Sequence, residues 1–205
     1  QHLQELRLVP ALAGGRGSSL ELMASAAEQV HLSQGQLLLR SGVMETHAFL
    51  LLEGSLRLLG KDPVLNELFT VGRVHPGELV GVIDLLRQSP CEAAIARQPC
   101  RLLSLPLELI VDLMQGDPGL LESLQTLRSP CEGIAVLSRV LQGMNPPPPD
   151  TQFWMREQLD ASDANGNSAE ATQSLLSSVL PDAEHRVGCV LTHDEEMQLQ
   201  GMSTL

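Results

Sequence analysis

Between Gly77 and Arg97 the chain reads GELVGVIDLLRQSPCEAAIAR, and here its residue types come closest to a small-ligand site. Glycine at 77 permits a tight backbone turn. A helix opening from Leu79 onward would expose its first amide hydrogens, an arrangement suited to an anion. The carboxylates Glu78 and Asp84 stand six residues apart and form no adjacent acid–base pair, so Asp84 reads as a surface residue. Other candidate chemistry is weaker. The histidines at 2, 31, 47, 75, 185 and 193 show no ligand spacing, and no metal site is expected. His193-Asp194-Glu195-Glu196 is explained as an acidic first helical turn after a Thr192 cap. Gly14-Gly15-Arg16-Gly17-Ser18 lacks the preceding strand and the Gly-Lys-Ser/Thr ending of a phosphate loop, so it reads as a flexible loop leading into a helix. No Gly-x-Ser-x-Gly, Walker or Cys/His nucleophile pattern is present, so no catalytic residues are assigned and an independent enzyme is not expected.

Composition narrows the setting of that stretch. Hydrophobic residues make up 43% of the 205 positions but aromatics only 2%, so the core must be built from Leu, Val, Ile and Ala. A formal charge of −12 opposes nucleic acid or an anionic membrane surface as a partner. Lys61 is the sole lysine. No apolar run approaches the ~20 residues that span a bilayer, and no secretory leader is apparent. Cys91, Cys100, Cys131 and Cys189 contain no Cys-x-x-Cys pair. Four reduced cysteines in a cytoplasmic protein are the expectation, with Cys91 and Cys100 the pair a hairpin could bring together. The ends of the chain suggest a segment of something longer.

The elements that must position residues 77–97 follow from periodicity. Residues 1–30 read as helical, with a turn at Val9–Gly14 and a capping box from Ser18 to Glu21. From 31 to 106 short strands are broken by turns. They are Leu37–Arg40, His47–Leu52, Ser55–Leu59, Glu67–Val74, Glu92–Ala96 and Arg101–Leu105, a pattern of a small sandwich or barrel. From 107 the period is helical again: Leu107–Gln115, then Gly119–Leu127 behind Asp117-Pro118, then Gly133–Gln142 behind a Ser129–Glu132 capping box. Ile134, Leu137 and Leu141 share one face, which serves either as a dimer seam or as cover for the strands. Residues 145–150 carry four prolines and read as a stiff spacer. After it, Phe153-Trp154-Met155 is an apolar cluster fit to dock on its own domain or another. Asp160–Asn167 reads as disordered, Ala169–Val179 as a helix and Val187–Leu191 as a strand. From Asp150 onward there are ten acidic residues against Arg156 and Arg186, a net of −8, so this is no DNA-reading segment.

Taken together, 1–142 resembles the cyclic-nucleotide-binding domain family. The resemblance is carried by Val9–Gly14, by Gly35-Gln36 with Arg40 and Gly42, and by Phe49–Leu52 with Gly54. It continues through His75-Pro76-Gly77-Glu78 and Arg101–Leu105. It implies an α+β fold, a β-roll of jelly-roll type with flanking N- and C-terminal helices, over 1–143. A linker at 144–150 and an acidic, partly helical segment at 151–205 leading to a further domain would follow. Residues 77–94 are similar to the family's phosphate-binding cassette, in which Gly-Glu-Leu opens a short helix, the Glu takes a ribose hydroxyl, and an Arg before Ala-Ala pairs with the cyclic phosphate. By that resemblance the site is Gly77, Glu78, Leu79, Arg87, Glu92, Ala93 and Ala94, with Glu92 in the arginine's place and Arg87 the candidate substitute cation. The small side chains of Ala93 and Ala94 would let backbone amides reach the phosphate. The implied function is a regulatory or docking module, degenerate for cAMP and cGMP. It would work through protein contacts, a homodimer or another small molecule, without a cofactor. Its context would resemble the cytoplasmic N-terminal part of a cyanobacterial-type ABC exporter, the only route to a membrane. The alternatives are a genuine second-messenger receptor that uses Arg87, and the regulatory half of an enzyme.

Overall fold

The computed structural model describes residues 2–163. Helix α1 (His2–Arg7) leads through a 3-10 turn at Pro10–Leu12 into α2 (Gly17–Ala26). The strands are β1 (Glu28–Leu32), β2 (Leu37–Leu39), β3 (His47–Glu53), β4 (Leu56–Asp62), β5 (Glu67–Val74) and β6 (Leu79–Val80). After helix α3 (Val82–Arg87) come β7 (Ala94–Ala96) and β8 (Cys100–Pro106). Helices α4 (Leu107–Gly116), α5 (Pro118–Gln125), α6 (Pro130–Gln142) and α7 (Thr151–Asp163) complete the order. Two antiparallel four-stranded sheets result, β1-β8-β3-β6 and β2-β7-β4-β5, the α+β roll with flanking helices that the sequence implies.

The chain divides into two compact units, 2–58 with 72–127 and 59–71 with 128 onward. In the first, alternation along β3 and β8 sends Leu50, Leu103 and Leu105 to a core shared with Leu6, Leu12, Met23, Val82, Ile110 and Leu120. Such aliphatic burial, at about 1.5–3 kcal/mol per side chain, is the main stabilising term in a core with so few aromatics. Within the glycine-rich run at 14–18, close approach to α5 fixes Gly14. A Cβ on Gly14 would lie 2.4 Å from the carbonyl oxygen of Gly119. The Arg16 amide and Ser19 hydroxyl donate to Asp117 Oδ2 at 2.7 and 2.6 Å. Those bonds, Ser19's first, hold the Asp117 carboxyl below the usual aspartate range. The expected Ser18–Glu21 capping box does not form, because α2 starts at Gly17 behind Arg16 with no side-chain cap. β1 occupies part of the stretch expected to be helical, paired with β8 from Glu28↔Ser104 to Leu32↔Cys100.

The second unit gathers Phe69, Ile134, Leu137, Leu141 and the fully buried Met155. The α6 face, read from the sequence as either a dimer seam or cover for the strands, packs against residues of its own unit. Ser129 and Glu132 form the expected capping box. Of the 153–155 cluster, Met155 and Trp154 pack on α6 while Phe153 is 63% exposed. Asp62 accepts from the amides of Val64 and Leu65 and from the Thr151 hydroxyl, tying the β4–β5 turn to the start of α7. Helix α7 runs through Asp163, so disorder beginning at Asp160 is corrected. The helix expected at 169–179, the strand at 187–191, the Thr192 cap and Cys189 lie outside the described residues.

Candidate functional site

All of the cassette lies in the first unit. Gly77, at φ +93°, turns the chain into β6, and its amide donates to the Leu51 carbonyl at 2.8 Å. Strand β6 pairs with β3 through Phe49↔Val80 and Leu50↔Leu79. Glu78 is exposed, and its Oε2 accepts from the His75 amide at 2.6 Å, so this carboxylate closes the turn that precedes β6. Leu79 is half-buried against the core. The helix does not open at Leu79, as the sequence suggested, because Leu79 and Val80 are strand. It opens at Val82, behind Gly81 at φ +85°. A Cβ on Gly81 would stand 3.1 Å from the His47 carbonyl oxygen, which is why glycine fits there.

Two carboxylates organise the interior. Glu92, 2% exposed, accepts the Gly81 amide on Oε2 at 2.7 Å. Asp84, also 2% exposed, accepts on Oδ1 from the amides of Glu92 (2.9 Å) and Cys91 (3.0 Å) and from the Cys91 thiol (3.2 Å). Its Oδ2 has no hydrogen-bond partner. Burial pushes the Asp84 carboxyl above the usual aspartate range, opposed by those three bonds and assisted by the negative charge of Glu45. The expectation that Asp84 lies on the surface is thus overturned. The backbone supplies the reason: the loop closing α3 has inward-facing amides that need an acceptor. A lone carboxylate within the otherwise apolar run 79–86 was the signal for it.

The remaining candidates separate. Arg87 ends α3, and its Nη2 donates to the Leu127 carbonyl at 3.1 Å. Gln88 takes the left-handed conformation that stops the helix. Ala93 and Ala94 are buried, and Ala94 stands in register with Leu39 on one side and Leu58 on the other. The structure therefore joins Glu92 to Gly81 through its carboxylate and to Asp84 through its amide, while Glu78 closes on the His75 amide. Cys91, Cys100 and Cys131 are not joined to one another by disulfides. Among the described residues no His, Cys, Asp or Glu group is arranged to hold a metal, and no helix is long and apolar enough to cross a membrane.

Residues 29–117 match the family model described as "Cyclic nucleotide-binding domain". That stretch belongs to the cyclic nucleotide-binding domain family. No curated protein matches the chain. Among solved structures it is similar to the regulatory domain of Toxoplasma gondii PKA with cAMP. There the TM-score is 0.54 and the identity 20%, over 59% of this chain and 47% of that one. It is also similar to the regulatory subunit of a cAMP-independent protein kinase A from Trypanosoma brucei, a triple mutant bound to cAMP in the A site. That match has TM-score 0.55 and 19% identity, over 64% and 48% of the chains. A third is the sensor domain of the transcriptional regulator DNR from Pseudomonas aeruginosa, at TM-score 0.55 and 15% identity over 60% and 83%. The chain spans about half the length of the two kinase regulatory subunits.

Proposed function

We propose that this chain is a regulatory or docking module whose cassette is closed to cAMP and cGMP. The observation that carries the reading is the 2.7 Å bond from the Gly81 amide to the buried Glu92 carboxylate. An amide at the mouth of the cassette helix, which a cyclic phosphate would need, is already bound to an anion of the protein itself. A phosphate about 4 Å from that carboxylate would meet a repulsion of roughly 4 kcal/mol at an effective dielectric near 20. That corresponds to about a thousandfold in affinity, before the lost arginine pair is counted. The bond from Arg87 Nη2 to the Leu127 carbonyl holds this guanidinium at the end of α3, which supports the same reading.

The domain limits of 1–143, a linker at 144–150 and an acidic segment at 151–205 belong to this proposal, as do a cytoplasmic location and action through protein contacts on a larger protein. Attachment to an ABC exporter draws its support from the sequence resemblance alone. Calorimetry with cAMP and cGMP tests the reading. No saturable binding is expected below millimolar concentration. Micromolar binding that disappears in Arg87→Ala would establish the receptor reading instead.

A further inference from the structure

We propose that Asp84 is a second specificity-determining residue of the cassette, excluding phosphate independently of Glu92, so that arginine at 92 alone does not create a cyclic-nucleotide site. The inference rests on the closed-cassette reading and extends it to a residue outside the motif.

Glu92 and Asp84 occupy different donors. Glu92 takes the Gly81 amide, at the opening of α3. Asp84 takes the amides of Cys91 and Glu92 and the Cys91 thiol, at the closing end, immediately before Ala93. Replacing Glu92 by arginine releases the first donor and supplies a cation. It leaves both closing-end amides on Asp84 Oδ1, since the Glu92 amide is backbone and survives the substitution. The new guanidinium would also have a buried carboxylate of the protein as a neighbour, since the residue 92 amide lies 2.9 Å from Asp84 Oδ1. Asp84 keeps an Oδ2 with no partner in a site 2% exposed, and a buried acceptor in that state is a strong competitor for an arginine donor. Glu45 adds negative charge near Asp84. A phosphate entering a Glu92→Arg cassette would find one end of its amide cradle filled and its cation drawn to Asp84.

The test is calorimetric titration of the full chain with cAMP in four forms: wild type, Glu92→Arg, Asp84→Asn with Glu92→Arg, and Asp84→Ala with Glu92→Arg. The Glu92→Arg form is expected to stay weak. The Asp84→Ala double variant is expected to bind about a hundredfold more tightly than it, the scale of two amide bonds to a charged group. The Asp84→Asn double variant should fall between, because asparagine can still accept the amides but carries no charge. Amide hydrogen exchange shows whether each form is folded, through protection at Leu50 and Leu103. In the Asp84→Ala double variant, exchange should accelerate selectively at the amides of positions 91 and 92, relative to Glu92→Arg. Binding by Glu92→Arg as tight as by the double variants would overturn the proposal, as would folded double variants no better than Glu92→Arg. If Asp84→Ala does not fold, the Asp84→Asn pair decides by the same comparison. Micromolar binding by the wild type would instead sink the closed-cassette reading itself.

Discussion

Gly77 and Gly81 bracket β6 and share a positive φ, yet alanine should cost very different amounts at the two positions. At Gly77, φ is +93° and nothing lies within 4 Å of a built Cβ. The penalty is then the left-handed strain alone, about 1–2 kcal/mol. Roughly 0.4–1 kcal/mol of that is offset because alanine restricts the unfolded chain. A net loss of about 0.5–1 kcal/mol is expected. At Gly81, φ is +85° and the Cβ would stand 3.1 Å from the His47 carbonyl oxygen and 3.4 Å from Ala48 Cα. Both are backbone atoms of β3, held in register with β8 through His47↔Pro106 and Ala48↔Leu105. They cannot yield without disturbing a ladder, so an overpacking cost of about 1–3 kcal/mol is added. Gly81→Ala should therefore lose about 1.5–4 kcal/mol, and a shifted Gly81 amide would also lengthen the bond to Glu92. Urea unfolding followed by far-UV circular dichroism measures both variants, with unchanged m as the condition for comparison. Equal losses in the two variants would refute the claim that close approach to β3, and not conformation alone, fixes glycine at 81.

Other perturbations separate the two units. Asp84 has its folded pKa raised by burial, so its contribution to stability is fullest below the unfolded carboxylate value near 3.9 and is lost as pH rises through the folded pKa. Urea midpoints from pH 4 to 7 should show the wild type losing ground to Asp84→Asn with rising pH; the reverse slope would contradict a desolvated carboxyl. Asp62 runs the opposite way. Burial alone would raise its pKa, but the Thr151 hydroxyl and the Leu65 and Val64 amides bring it below the usual value, so its stabilisation is present above the unfolded pKa and lost as pH falls through the folded one. Asp62→Ala should flatten the acid limb of unfolding in the second unit, monitored by Trp154 fluorescence. Met155→Ala removes a fully buried side chain from the α6 cluster and should cost about 2–5 kcal/mol by the same probe; a loss under about 1 kcal/mol would mean that α7 does not pack there in solution.

The strands were legible where turn residues bound them. Glu67–Val74 was read to the residue, and the Ser129–Glu132 box and Asp117-Pro118 start of the last helices lie where their capping chemistry puts them. The losses have local causes. β1, EQVHL, alternates only over Val30 and Leu32, too short a run to mark a strand, and its pairing comes from β8. β6 is two residues long, too short for any period, and its presence moved the helix opening from Leu79 to Val82. Asp84 was misplaced for a different reason. Side-chain polarity predicts exposure only when the backbone nearby has no unmet donors, and here two amides and a thiol converge on it.

That convergence bears on what a cassette of this shape can mean. Gly77 and Gly81 are required by positive φ, and Ala94 by its place between β2 and β4. None of these requirements involves a ligand. What the geometry does create is a set of inward-facing amides at both ends of a short helix, and a buried donor left unmet costs about 1–3 kcal/mol. Such donors must find an acceptor, and a chain can recruit one from solution or supply its own. Glu92 and Asp84 are acceptors of the second kind, on separate donors, which removes the energetic need for a bound phosphate while leaving the roll intact. On the closed-cassette reading proposed above, the cassette keeps its backbone shape without its ligand chemistry. Its glycines and alanines report the fold, and the partners of its amides report whether an anion is still required.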